Sequence, residues 1–106
     1  MTVIRWTEPA NADFRGIIEW LNTKNPAAAA RVGQRIIDTV EMLDAHPNLG
    51  KPGRSPDTRE LGVASFPYLV VYSVEPAATG AETAQVAILR VLHGAMMWPP
   101  IDDQSH

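Results

Sequence analysis

The sequence contains no cysteine. That absence excludes disulfide staples, thiol nucleophiles, iron–sulfur clusters and thiolate zinc sites. Basic residues are also scarce. Nine Lys and Arg stand against twelve Asp and Glu, a net charge of −3, with a pI near 5.5. A chain that works through phosphate contacts needs a cation for each phosphate it neutralises, so this balance argues against direct nucleic-acid binding. No apolar run approaches the roughly 18 residues of a membrane span. The N-terminus lacks a basic segment followed by a long apolar one, so no secretion signal and no membrane partner are expected, and the expected location is cytoplasmic. The three histidines lack metal-ligand spacing. Phosphate-binding loops, dinucleotide fingerprints and a Ser/His/Asp order are missing too, so neither metal nor cofactor is expected.

What is present is the composition of one small globular domain. The 106 residues are 45% hydrophobic and 20% charged, enough to build a core unaided. Residues 2–6, with Val3, Ile4 and Trp6, read as a first strand. Thr7, Glu8 and Pro9 then signal a helix start: a capping hydroxyl, an early acid and a first-turn proline. Phe14, Ile17, Ile18 and Leu21 recur as one apolar stripe. Asn25-Pro26 opens a second helix, with Ala29, Val32, Ile36, Val40 and Leu43 on one face. Pro47, Asn48 and Gly50 end it. The short link between the two predicts an antiparallel helical hairpin.

Residues 47–58 carry three prolines and two glycines and read as a long loop. Residues 60–64, 66–74 and 85–93 are β-branched and aromatic-rich and read as three strands, with residues 76–83 connecting the last two. The expected fold class is therefore α+β: a strand, a helical hairpin covering one sheet face, then three strands of a mostly antiparallel sheet.

Several residues stand out as candidates for chemistry or binding. Lys51, Arg54 and Arg59 lie in the Pro/Gly-rich loop with only Asp57 against them, a basic patch in an acidic chain. Arg90 interrupts an apolar strand, where a guanidinium needs a partner such as Glu60 or another carboxylate. His93 ends that strand and could move protons near neutrality if a second group faced it. His46 reads as a helix cap. Tyr68 and Tyr72 share a strand face, which points to packing against the helices. Trp20 falls off the centre of the first helix's stripe, and an exposed Trp there would widen an interaction surface. Met96, Met97 and Trp98 form an apolar cluster after the last strand.

Taken in order, Ala12-Asp13-Phe14, Ile17 to Trp20, Gly50-Lys51-Pro52-Gly53-Arg54, Thr58-Arg59-Glu60-Leu61, Pro67 to Tyr72, Ile88 to Ala95 and Trp98-Pro99 resemble the ParE branch of the RelE/ParE toxins. The likeness runs from Val3 to Pro99, which makes residues 1–98 a single toxin-like domain and residues 99–106 a tail.

The resemblance implies the toxin of a type II toxin–antitoxin module, often linked to plasmid stabilisation. It implies growth arrest through inhibition of DNA gyrase, and a ParD-like or similar cognate antitoxin that forms a hetero-oligomer with the toxin. Lys51, Arg54, Arg59, Arg90 and His93 are then candidates for target binding. Trp20, Arg31, Arg35, Met96, Met97 and Trp98 are candidates for antitoxin binding.

The related RelE-like branch cleaves mRNA on the ribosome. Under that alternative Arg54, Arg59, Arg90 and His93 would clamp the anionic transition state. Pro67, however, stands where those nucleases tend to carry an arginine, and Met96 and Met97 where a second basic residue is expected. No tyrosine follows Trp98. Methionine neither stabilises a phosphorane charge nor donates a proton, so the expectation leans away from an enzyme. A third alternative is a degenerate toxin serving only as its antitoxin's co-repressor.

Overall fold

The computed structural model describes residues 2–75 and 84–94. The 76–83 connection, the Met96–Met97–Trp98 cluster and the boundary between residues 98 and 99 lie outside the described residues.

The chain begins with strand β1 (Thr2–Trp6). Helix α1 (Glu8–Lys24) follows at once, because Thr7 caps it: its hydroxyl accepts from the Ala10 N–H, and Pro9 sits in the first turn. Helix α2 (Pro26–Ala45) is separated from α1 by Asn25 alone. Asn25 serves both helices. Its N–H donates to the Leu21 carbonyl, 2.7 Å, and its side-chain oxygen accepts from the Ala28 N–H, 3.2 Å. Ile18 and Gly33, nearly equidistant from Asn25, meet where the helices touch; a methyl on Gly33 would sit 3.0 Å from Ile18 Cδ1.

The remaining strands are β2 (Lys51–Pro52), β3 (Arg59–Gly62), β4 (Tyr68–Glu75) and β5 (Ala84–His93). The sheet order is β1-β5-β4-β3-β2. β1 runs parallel to β5, and the other neighbours are antiparallel. The expected α+β class holds, and β1 lies at an edge beside the last strand. One difference is a short additional strand. β2 falls inside the segment expected to be wholly loop; its Pro52 is tolerated because an edge strand leaves one side unpaired.

The hairpin covers one face of the sheet, as its apolar stripes require. Val32, Ile36, Val40 and Leu43 of α2 pack with Val70, Tyr72, Val86, Ile88 and Val91 in one core. Tyr68 and Tyr72 both belong to it, so the shared strand face read from their spacing is a core face. Thr39 is buried within α2 and satisfies its hydroxyl on the Arg35 carbonyl, 2.7 Å.

Candidate partner-binding site

The site grows from the place where β5 loses its neighbour. β1 pairs with β5 only as far as Trp6 and Ile88. Thr7 then extends the edge by one step: its N–H and hydroxyl both donate to the Ile88 carbonyl, at 3.0 and 2.8 Å. Just beyond, the β4–β5 register shifts, with Val71 opposite Arg90 and Tyr72 opposite Ile88. That bulge leaves the Val91 N–H facing α1, where Asp13 accepts it at 2.9 Å. The same carboxylate takes two hydrogen bonds from Arg90, 2.7 Å from Nε and 2.9 Å from Nη2. The hydrogen bonds that Arg90 donates to Asp13, outweighing partial burial, hold its guanidinium above its ordinary range. The partner of Arg90 is thus Asp13 and not Glu60, because the bulge turns this part of β5 toward the helix.

Above this junction α1 and the sheet leave an apolar groove of about 590 Å³, lined by Asp13, Gly16, Ile17, Trp20, Tyr68 and His93, with Ala12 and Val91 completing it. Ala12, Gly16 and Trp20 recur at i, i+4 and i+8, so they share one flank of α1. The first two are small and open the space, and a methyl on Gly16 would touch nothing within 4 Å. Trp20 is 59% exposed, and the Lys24 ammonium lies 5.6 Å from its ring centroid. The His93 ring meets Tyr68 edge-on at 5.5 Å.

A second groove, also about 590 Å³, lies on the other side of Tyr68 and is lined by Lys51, Arg54, Glu60, Pro67, Leu69 and Gly94 among others. Lys51 is exposed, and Arg54 keeps 53% of its side chain exposed although its Nε donates to Glu60 at 3.1 Å. Glu60 is buried, which alone would raise its pKa. The Arg54 backbone N–H and guanidinium, with the charges of Arg54 and Lys51, more than offset that and lower it.

Arg59 points elsewhere. Its Nη1 donates to the carbonyls of Gly50 and Asn48, at 2.6 and 3.3 Å, and it lines a separate groove with Pro47, Pro52 and Val74. It braces the turn before β2. Gly50 belongs to the same knot: its N–H donates to the buried Tyr72 hydroxyl at 2.7 Å, and a methyl on it would sit 2.8 Å from both that hydroxyl and the Glu60 carbonyl.

The fold therefore regroups the candidate residues. Trp20 and His93 share the apolar groove, whereas Lys51 and Arg54 share the basic one. Arg90 is tied to Asp13 beneath the first groove. Arg31 and Arg35 flank a smaller groove of about 250 Å³ against Phe66. His46 caps α2 through its backbone N–H to Met42. Met96, Met97 and Trp98 lie outside the described residues. Sequence reasoning missed Ala12, Asp13 and Gly16 as site residues; the small–small–large spacing on the flank beside the core stripe was the available signal. Among the described residues no cluster of three His, Asp or Glu side chains could hold a metal ion, and no helix is long and apolar enough to cross a membrane.

Residues 4–98 match the model of the ParE toxin of type II toxin–antitoxin system, parDE. Over 98 residues the chain is 37% identical to "Putative toxin Y4kP" of Sinorhizobium fredii (strain NBRC 101917 / NGR234), covering 92% of this chain and 94% of the relative. It is also similar to a chain of the solved "Chromosomal ParDE TA system from P. aeruginosa", with a TM-score of 0.73 and 25% identity over 88% of this chain and 96% of that one.

Proposed function

The chain belongs to the ParE toxin family of type II toxin–antitoxin systems, and from that premise we propose that it inhibits DNA gyrase by protein binding in the cytoplasm. Its partner is an antitoxin, which neutralises it by covering overlapping surface. The observation that carries the docking reading is the apolar groove beside Trp20. A flank of α1 with small residues and an exposed indole suits an amphipathic partner helix with i, i+3, i+4 anchors.

The nuclease alternative fits the geometry less well. Arg54, Arg59 and His93 line three different grooves, and Arg90 is committed to Asp13. A phosphate clamp needs its cations converging on one point.

The test is a gyrase supercoiling assay with purified toxin, with and without antitoxin, and RNA integrity followed in the same expressing cells. Inhibition reversed by antitoxin is expected. Unimpaired supercoiling at micromolar toxin would remove gyrase as the target, RNA cleavage would restore the nuclease reading, and absence of growth arrest would leave the co-repressor role. Gly16→Leu sharpens the groove assignment. Leucine favours a helix over glycine, its Cβ would meet nothing within 4 Å and Gly16 lines the open groove, so the variant should fold as well as the parent while losing antitoxin affinity.

A further inference from the structure

Helix α1 follows the ordinary charge rule, with Glu8 in its first turn and Lys24 in its last. Helix α2 reverses it. No acid stands in its first turn and no base in its last. Arg31 and Arg35 lie in its N-terminal half, and Asp38, Glu41 and Asp44 in its C-terminal half. The gradient runs against the macrodipole, most directly at Asp44 in the last turn. Arg31 and Arg35 also repel each other one turn apart. Neither forms a salt bridge among the described residues, where the ion pairs are Arg54–Glu60 and Arg90–Asp13. This charge order does nothing for an isolated helix.

It is self-complementary, however. Ala28, Arg31, Arg35, Asp38, Met42 and Ala45 recur at alternating steps of three and four, so they share one face of α2. All but Ala28 are exposed, and Met42 is 46% exposed. From either end the face reads small residue, long residue, charged residue, and only the sign of the inner charge differs. Two such faces meeting antiparallel, about a two-fold axis between Arg35 and Asp38, match at every step.

We propose that α2 pairs antiparallel with α2 of a second copy of this chain, so that Arg35 of each protomer meets Asp38 of its partner. Gln34 donates to the Asp38 carboxylate at 2.9 Å, which steadies it without using its charge. Met42 of one protomer then faces Arg31 of its partner, where Arg31, Arg35 and Phe66 border the small groove of about 250 Å³. A flexible thioether suits that irregular space. Ala28 and Ala45 let the helix ends approach. Each basic half lies against an acidic half, and the two macrodipoles run head to tail. A single exposed ion pair stabilises little, but the two-fold axis makes every contact twice. The self-association does not rest on the gyrase or antitoxin readings. An acidic antitoxin segment laid on Arg31 and Arg35 is the competing occupant.

The experiment is sedimentation equilibrium of the full-length protein at low salt, with the parent, Arg35→Asp, Asp38→Arg and an equimolar mixture of the two variants. A seam one helix wide falls at the small end of specific interfaces, so the parent should dimerise at about 10–100 micromolar. Each variant alone sets like charges opposite each other twice and should weaken the dimer by about tenfold or more. The mixture restores opposite charges at both positions, so it should form a heterodimer about as readily as the parent self-associates. Both positions are exposed, and circular dichroism checks that the variants keep the parent's helix content. A parent still monomeric at about ten times that concentration would overturn the proposal. So would a dimer that neither variant weakens, because its seam would lie elsewhere, or two weakened variants that fail to rescue each other. A monomeric parent whose antitoxin affinity falls with Arg35→Asp would assign this face to the antitoxin instead.

Discussion

The two helices of the hairpin have similar lengths and opposite allocations of their apolar surface. In α2, Ala29, Val32, Gly33, Ile36, Thr39, Val40 and Leu43 are all buried. In α1 only Ala10 is, and Phe14, Ile17 and Leu21 are half-buried against the same core. α2 is committed to holding the fold. α1 divides its surface between a core stripe and the groove flank, with Ile17 on both. A helix can therefore be essential to a domain and still keep apolar surface in reserve for a partner, provided its neighbour supplies most of the core contact.

The largest expected effect tests the α2 side of this contrast. Ile36 is fully buried, and Ile36→Ala should cost about 3–4 kcal/mol of unfolding free energy, the usual range for a large core truncation. Urea denaturation measures it, and a loss below about 1 kcal/mol would contradict the role given to α2. Next comes the tie between α1 and the sheet. Asp13→Ala removes the carboxylate that accepts from both the Arg90 guanidinium and the Val91 N–H, at an expected cost of about 2 kcal/mol. That is less than for a fully buried pair because both side chains keep some solvent contact. Asp13→Asn should recover part of it in the same denaturation series.

Trp20→Ala should barely move stability, within about 0.5 kcal/mol as for an exposed position, yet weaken antitoxin binding by about tenfold or more, the behaviour of an aromatic anchor. A Trp20 variant that unfolds readily but binds normally would erase the distinction between the helices.

The smallest effect belongs to neither helix. Because the Glu60 carboxyl is held below its ordinary pKa, the unfolded chain takes up the proton first as pH falls. The stabilisation is present above the ordinary carboxylate range and is lost in acid as pH drops through the lowered folded value. Glu60→Gln should flatten that acid limb in pH-dependent denaturation and leave the neutral-to-alkaline region alone. At the alkaline end burial raises the Tyr72 pKa, an effect partly offset by the Gly50 N–H and Arg59. Stability there declines as pH rises through the raised value.

How much of this was readable in the residues depends on how local each signal is. Thr7, Pro9 and Asn25-Pro26 mark helix starts by chemistry within one turn, and the structure keeps those starts. The exposure of Trp20 followed from its offset from the Phe14–Ile17–Leu21 stripe. β2 was hidden because Lys51 and Pro52 carry turn-like neighbours, and their pairing is to Glu60 and Arg59 across the intervening loop. The Arg90–Asp13 bond was hidden for a related reason. The sequence showed that Arg90 needed a carboxylate, but the choice among several was made by a bulge in β5 that no run of residue types announces. The regrouping of Trp20 with His93 likewise depends on α1 lying along β5.

The joint at Asn25 has a consequence for chain length. One side chain and one N–H there finish the first helix and begin the second, with no spare residue between them. Inserting a single amino acid at that joint would turn one cylinder about 100° relative to the other, swinging the Val32–Ile36–Val40 ridge off the sheet. The same insertion in the exposed turn at Pro56 and Asp57 would merely lengthen a bend. At this position the number of residues is as strictly constrained as the identity of a core side chain.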